Sequence, residues 1–251
     1  MPDQKAQGLW LNGFSGRMGQ EIAALLPKSS GGGFSLLGGS SENTGWEDFA
    51  SQRGSIQLVM DFSTVAGNAQ LLGELQGDVG GCRSILLGTT SLPQEQLEQW
   101  RRLAKSSKIA ILLAPNTSLG ISLALQAALA IVSPSLGEYL DIEISETHHR
   151  FKKDAPSGTA LFLAERLARK IPQSQIVTNR QGERKKNEIG VHSLRGGGVV
   201  GEHVIHLLAE HEEICISHRV FSRSVFAQGA LFLAERLQKH GPGFYELGDL
   251  T

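Results

Sequence analysis

Short apolar runs alternate with segments of helical period through the first half of the chain. Residues 8–11, Gly-Leu-Trp-Leu, read as a strand, and Met18, Ile22, Leu25 and Leu26 follow with the i, i+4, i+7, i+8 spacing of an amphipathic helix. Strands are expected again at 34–37, 56–61, 84–87 and 109–113, with polar helical segments such as 93–104 between them. Repeated strand–helix units imply a parallel sheet with helices on both faces. Beyond Asn116 the rhythm changes. A long apolar helix is expected at 119–131, then strand-like runs at 139–145, 188–194, 199–209 and 213–220, the last three reading as neighbours joined by Arg195-Gly196-Gly197-Gly198 and Glu210-His211-Glu212. Two domains follow from this shift: 1–116 rejoined by 223–251, and 117–222 between them.

The octapeptide Ala-Leu-Phe-Leu-Ala-Glu-Arg-Leu occurs at 160–167 and again at 230–237. Its flanks differ and no fixed period recurs, so it marks two amphipathic helices built from the same favoured residues and not a repeat. With 251 residues, 40% of them hydrophobic, the chain can bury a substantial core. A net charge of −1 argues against a surface tuned to nucleic acid or acidic lipid, so an anionic partner should be small. The basic run Arg184-Lys185-Lys186 reads as a solvated loop in preference to an anion-binding one. Cys82 and Cys215 both sit in apolar, strand-like runs and supply neither a disulfide framework nor a zinc ligand set of usual spacing, so no metal is expected. The polar opening lacks a hydrophobic signal region, and no apolar run approaches the roughly 20 residues of a spanning helix. A cytoplasmic protein without membrane or nucleic-acid partners is expected.

Gly13-Phe14-Ser15-Gly16-Arg17-Met18-Gly19 follows the first strand and opens the first helix, the context a dinucleotide fingerprint requires. Gly13 permits the sharp turn, Gly16 lets backbone approach a pyrophosphate, and Gly19 lets the helix lie close on the sheet. Glu42, just past the second strand, stands where a carboxylate accepts hydrogen bonds from the adenine ribose diol. The next residue is Asn43 and not a cation, so NADH is expected over NADPH, although Arg17 could reach a 2′-phosphate and keep NADPH possible. Gly88-Thr89-Thr90 and Ala114-Pro115-Asn116-Thr117 each follow a strand candidate; they either line the nicotinamide pocket or simply punctuate loops.

The densest chemistry lies at 146–160, Glu-Thr-His-His-Arg-Phe-Lys-Lys-Asp-Ala-Pro-Ser-Gly-Thr-Ala. Two imidazoles and two ammonium groups can hold and protonate an anion, and Pro-Ser-Gly-Thr is a loop entering a helix whose free N–H groups attract carboxylate. The helix after Thr159 would present Leu161, Ala164, Leu167 and Ala168 on its packed face.

This segment closely resembles the signature of the 4-hydroxy-tetrahydrodipicolinate (dihydrodipicolinate) reductase family. Supporting matches are Gly-x-x-Gly-Arg-Met-Gly from Gly13, Gly-Thr-Thr from Gly88, Asn-x-Ser-x-Gly from Asn116, Val-Gly-Glu-His at 200–203, and 223–229. The resemblance implies an α/β fold: a Rossmann-like nucleotide-binding domain plus an α+β substrate and oligomerisation domain with an open mixed sheet, assembled as a homotetramer. It implies reduction of a small cyclic dicarboxylate by NAD(P)H in the diaminopimelate route to lysine. By position, His148 and Lys152 would be the catalytic pair, His149 a substrate contact, and Ser157, Gly158 and Thr159 the carboxylate loop. Many relatives carry a base where Asn43 stands and another where Thr64 stands, and often an aromatic residue where Thr117 stands. An NAD(P)-dependent dehydrogenase of another small dicarboxylate, or a non-catalytic NAD(H) sensor, are the alternatives. The two-histidine signature argues against the first, and the second would not need His148, Lys152 and the Ser-Gly-Thr loop together.

Overall fold

A computed structural model describes residues 6–26, 33–42, 44–135 and 139–250. It divides into two compact units, Met1–Ser118 with Ser224–Thr251, and Leu119–Arg223.

The first unit holds six strands: β1 (Gln7–Asn12), β2 (Phe34–Ser40), β3 (Ile56–Asp61), β4 (Ser84–Leu87), β5 (Ala110–Leu113) and, last in the chain, β11 (Gly243–Glu246). All pair in parallel, in the order β2-β1-β3-β4-β5-β11. The connections are helical: α1 (Arg17–Leu25), α2 (Trp46–Gln52), α3 (Val65–Gly77), α4 (Gln94–Ser107) and, returning from the second unit, α7 (Ser224–Leu237). Strands covered on both faces need apolar side chains at successive positions, and β1, β3 and β4 are buried almost throughout. Trp10, Phe49, Leu71, Ile85, Trp100 and Ile111 belong to the resulting core. Cys82 is buried just before β4 and not within it.

The expected second strand continues past Leu37 to Ser40 because two glycines admit rings: a Cβ on Gly38 would meet Trp10 at 2.6 Å and one on Gly39 would meet Phe14 at 2.4 Å. The chain passes from β1 to β2 on one side and returns to β3 on the other. That reversal creates a topological switch point at the carboxyl ends of β1 and β3, the place where open α/β sheets take ligands.

The second unit comprises α5 (Leu119–Ile131), β6 (Asp141–His148), α6 (Gly158–Ala168), β7 (Gln175–Thr178), β8 (Glu188–Arg195), β9 (Gly201–Leu208) and β10 (Glu213–Val220). Its sheet is mixed, ordered β10-β9-β6-β8-β7, with β6 parallel to β8 and antiparallel to β9. The expectation that β8, β9 and β10 are successive neighbours is therefore corrected. Only β9 and β10 form a hairpin, and β6 lies between β8 and β9. The packed face of α6 is also redrawn: Ala160, Leu163, Ala164 and Leu167 are buried at i, i+3, i+4, i+7, while Leu161 and Ala168 border the stripe half-buried. In the run 184–186 Lys185 and Lys186 are exposed, whereas Arg184 is half-buried and pairs with Asp141 at 2.8 Å and Glu143 at 3.3 Å. Among the described residues no helix is long and apolar enough to cross a membrane.

Candidate active site

Strand β6 delivers the first two groups. Alternate residues Ile142, Ile144, Glu146 and His148 are buried, so a carboxylate and an imidazole end an otherwise apolar row. Burial opposes ionisation of Glu146, but hydrogen bonds from His148 and Arg195 outweigh it and hold the carboxyl well below the usual range. Arg195, closing β8, meets it with two prongs, Nη1 to Oε2 at 2.9 Å and Nη2 to Oε1 at 2.7 Å. The Ser157 backbone N–H donates to Oε1 at 3.1 Å, and His148 Nδ1 donates to Oε2. An ionised carboxylate only accepts, so the His148 ring donates from Nδ1, and its second nitrogen is Nε2.

Gly201 opens β9 beside that nitrogen, where a Cβ would come within 3.1 Å of it. Two residues on, the buried His203 ring stands edge-on to His148 at 5.2 Å between centroids, with Nε2 3.2 Å from Ser157 Oγ. Burial, and next the neighbouring His148, lower the His203 pKa to about 3, so its ring is neutral at physiological pH.

Ser157 caps α6, its Oγ accepting from the Ala160 N–H at 3.2 Å. First-turn N–H groups have no acceptor within the helix. No acidic side chain stands in that turn, and among the described residues nothing but its chain neighbours and the helix's own backbone lies within 4 Å of where a Gly158 side chain would begin. The open space and the positive end of the helix dipole suit a carboxylate.

Lys152 sits in the loop between β6 and α6, with Nζ 2.9 Å from Asp154 Oδ1. His149 Nε2 lies 3.4 Å from Arg223 Nη2. The expected residues thus fall into a buried cluster of His148 and Ser157 with Glu146, Arg195 and His203, and a wetter edge of Lys152–Asp154 and His149–Arg223. Glu146, Arg195 and His203 had no assigned role from sequence. The available signal was Glu-x-His in one strand, which puts both side chains on the same face.

In the first unit Gly13 has φ +84°, and a Cβ there would lie 2.4 Å from the Phe62 carbonyl oxygen. A Cβ on Gly19 would meet Gly13 O at 2.5 Å. The N–H groups of Gly13 and Phe14 donate to Ser40 O at 2.9 and 3.0 Å, which folds the loop onto the end of β2. Gly16 leads α1 without a side-chain cap, Arg17 is exposed, and Met18 is half-buried. Bare backbone at an uncapped helix start, free of acidic side chains in its first turn, fits a dinucleotide's pyrophosphate. The Ser15 and Ser41 hydroxyls hydrogen-bond at 2.8 Å, and Glu42 is exposed in the turn that follows. Asn43 lies outside the described residues.

Thr89 points inward, its Oγ1 donating to Asp61 Oδ2 at 2.6 Å, and a Cβ on Gly88 would strike the Phe62 ring. Burial pushes the Asp61 carboxyl up against hydrogen bonds from Asn68, Ser63, Thr89 and Asn12. Ala114 is buried, and Thr117 Oγ1 donates to Phe226 O at 2.7 Å. Thr90 is exposed, and Pro115 and Asn116 are half-buried.

Residues 120–251 match the family model for dihydrodipicolinate reductase, C-terminus. A 4-hydroxy-tetrahydrodipicolinate reductase of Zymomonas mobilis is 36% identical, the alignment covering 100% of this chain and 99% of that one. One from Aquifex aeolicus is 42% identical over 67% of this chain and 63% of its own length. Among solved structures, the dipicolinate-bound dihydrodipicolinate reductase of Paenisporosarcina sp. TG-14 superposes with a TM-score of 0.75 at 22% identity, covering 98% of this chain and 100% of that one.

Proposed function

The chain belongs to the dihydrodipicolinate (4-hydroxy-tetrahydrodipicolinate) reductase family, and from that premise we propose that the His148 cluster and Lys152 bind and protonate the cyclic dicarboxylate. The family's reaction is a nicotinamide-dependent reduction serving lysine and diaminopimelate biosynthesis. When bound, NAD(P)H would supply a hydride to the conjugated ring, and the electron pair displaced by that addition would have to be met by a proton.

Lys152 supplies the proton from Nζ. Its partner Asp154 is 57% exposed, so the pair can part without stranding a buried charge. His148 holds or relays a proton at Nε2, because the cation so formed is balanced by the ionised Glu146 on its other nitrogen. His203, remaining neutral, adds no second positive charge beside it. Ser157, Gly158 and Thr159 receive one substrate carboxylate at the start of α6, and His149 with Arg223 receives the other.

Gly13, Phe14, Ser15, Gly16, Arg17 and Met18 take the pyrophosphate, and Glu42 the adenine ribose. NADH is favoured because Glu42 would repel a 2′-phosphate and Thr64 offers no charge there: its side chain caps α3 by accepting from the Gly67 N–H at 3.1 Å. Arg17 leaves NADPH usable. Of the two remaining loops, the exposed Thr90 and the half-buried Pro115 and Asn116 meet nicotinamide, while Gly88, Thr89, Ala114 and Thr117 fix the loops' shape. Assembly as a homotetramer in the cytoplasm completes the proposal.

The carrying observation is the buried, ionised Glu146 clamped between Arg195 and His148. Lys152→Ala tests the chemistry: kcat should fall by about 10²-fold or more with the NADH Kd unchanged. Turnover near wild type would rule out Lys152 as the acid.

A further inference from the structure

On the second unit's sheet, away from the His148 cluster, three unlike metal-ligating groups converge. His206 on β9 stands directly opposite Cys215 on β10, and Glu213 lies two residues before Cys215, hence on the same face. The His206 nitrogen, the Cys215 sulfur and a Glu213 oxygen all lie within 4.8 Å of one another, the one such trio among the described residues. We propose that His206, Glu213 and Cys215 form a binding site for a divalent cation of borderline softness, zinc being the best match, with water as fourth ligand.

The donor set is a mixed N, O and S set of the kind zinc takes, and two ionised ligands would balance its charge. Geometry agrees. With Zn–N near 2.0–2.1 Å and Zn–S near 2.3 Å, a tetrahedral edge between them is about 3.5 Å. The structure gives 3.4 Å from Cys215 Sγ to His206 Nδ1. Glu213 Oε1 lies 2.6 Å from Nδ1, closer than the roughly 3.3–3.5 Å of a nitrogen–oxygen edge. Its side chain is 43% exposed and can swing outward by that difference.

The outer contact is also in place. Ser145 Oγ lies 3.0 Å from His206 Nε2, and a serine hydroxyl can accept as well as donate. It can therefore hold the ring with its proton on Nε2 and the Nδ1 lone pair facing the cation, the arrangement that ligating histidines usually show. In the metal-free chain Cys215 is a thiol that carries one proton on sulfur. Binding is then Zn²⁺ displacing that proton: a Zn–S bond forms, the S–H bond breaks, the proton leaves to solvent, and no electron moves. Linear spacing hides this site, because its ligands come from two strands that meet only in the folded hairpin.

Equilibrium dialysis of the reduced chain against Zn²⁺, and titration with Co²⁺ as a spectroscopic substitute, test the proposal. Expected are one ion per chain and a near-ultraviolet sulfur-to-cobalt charge-transfer band. Cys215→Ser should abolish that band and weaken binding at least tenfold, with His206→Ala weakening it similarly and Ser145→Ala about tenfold. These exposed or half-buried positions should leave circular dichroism and reductase turnover unchanged, separating loss of the site from loss of the fold. Absence of saturable binding at micromolar metal, or a cobalt spectrum that Cys215→Ser leaves intact, would overturn the proposal.

Discussion

Replacing Glu146 by Gln removes one charge and one acceptor oxygen while preserving the side chain's size. Oε1 accepts from Arg195 Nη2 and the Ser157 N–H, and Oε2 accepts from Arg195 Nη1 and His148 Nδ1. Whichever oxygen becomes the amide nitrogen, two donors lose their acceptor. Hydrogen bonds to a charged partner contribute about 1.5–3 kcal/mol each, so the loss should be about 3–6 kcal/mol, matching the roughly 3–5 kcal/mol for breaking a buried ion pair. Water cannot make this good, since the Arg195 side chain is only 18% exposed. Urea unfolding at neutral pH should show that difference, and kcat should fall because the His148 ring loses its anchor. The gap should close in acid. Glu146 has its folded pKa depressed, so the stability it brings is complete above its unfolded value near about 4.3 and is lost as pH falls below it. A loss under about 1 kcal/mol at pH 7, with turnover intact, would refute the clamp.

His203 has its folded pKa lowered to about 3, so as pH falls below about 6.5 the unfolded chain takes up a proton that the folded one refuses. The cost builds over that window at about 1.4 kcal/mol per pH unit, and His203→Gln should flatten the decline of Tm between pH 7 and 5; equal slopes would contradict this. Gly13→Ala places a side chain at φ +84° and 2.4 Å from a carbonyl oxygen, so it should destabilise the fold and abolish NADH binding measured by calorimetry. Gly158→Ala meets open space, so its stability should stay within about 1 kcal/mol of wild type while KM for the dicarboxylate rises. Glu42→Arg should move kcat/KM toward NADPH, and an unchanged ratio would remove Glu42 from cofactor choice.

The parallel half of the fold was legible because its strands are apolar at successive positions, as β3 and β4 show, and burial on both faces leaves that pattern. Strand β7, four residues and mostly exposed, and the half-buried β11 carry no comparable pattern and are not legible in the sequence. Strand order in the second unit was misjudged because chain proximity favours neighbouring hairpins, whereas β6 takes the central place by pairing with both β8 and β9. Within the site, His148 and Ser157 were legible from their dense polar surroundings. Arg195 and His203 were not, because each is brought to Glu146 or Ser157 only by sheet pairing across some tens of residues. The Thr89 and Thr117 hydroxyls, read as loop groups that could line a pocket, instead donate to Asp61 and to the Phe226 carbonyl.

This chain is expected to reduce its cyclic dicarboxylate with a hydride from a reduced nicotinamide cofactor, NADH or NADPH. Freshly generated 4-hydroxy-tetrahydrodipicolinate, added to the chain with NADH, should cause a loss of reduced-nicotinamide absorbance that depends on that substrate and nearly disappears in Lys152→Ala. A folded protein that oxidises neither NADH nor NADPH in its presence would contradict the account.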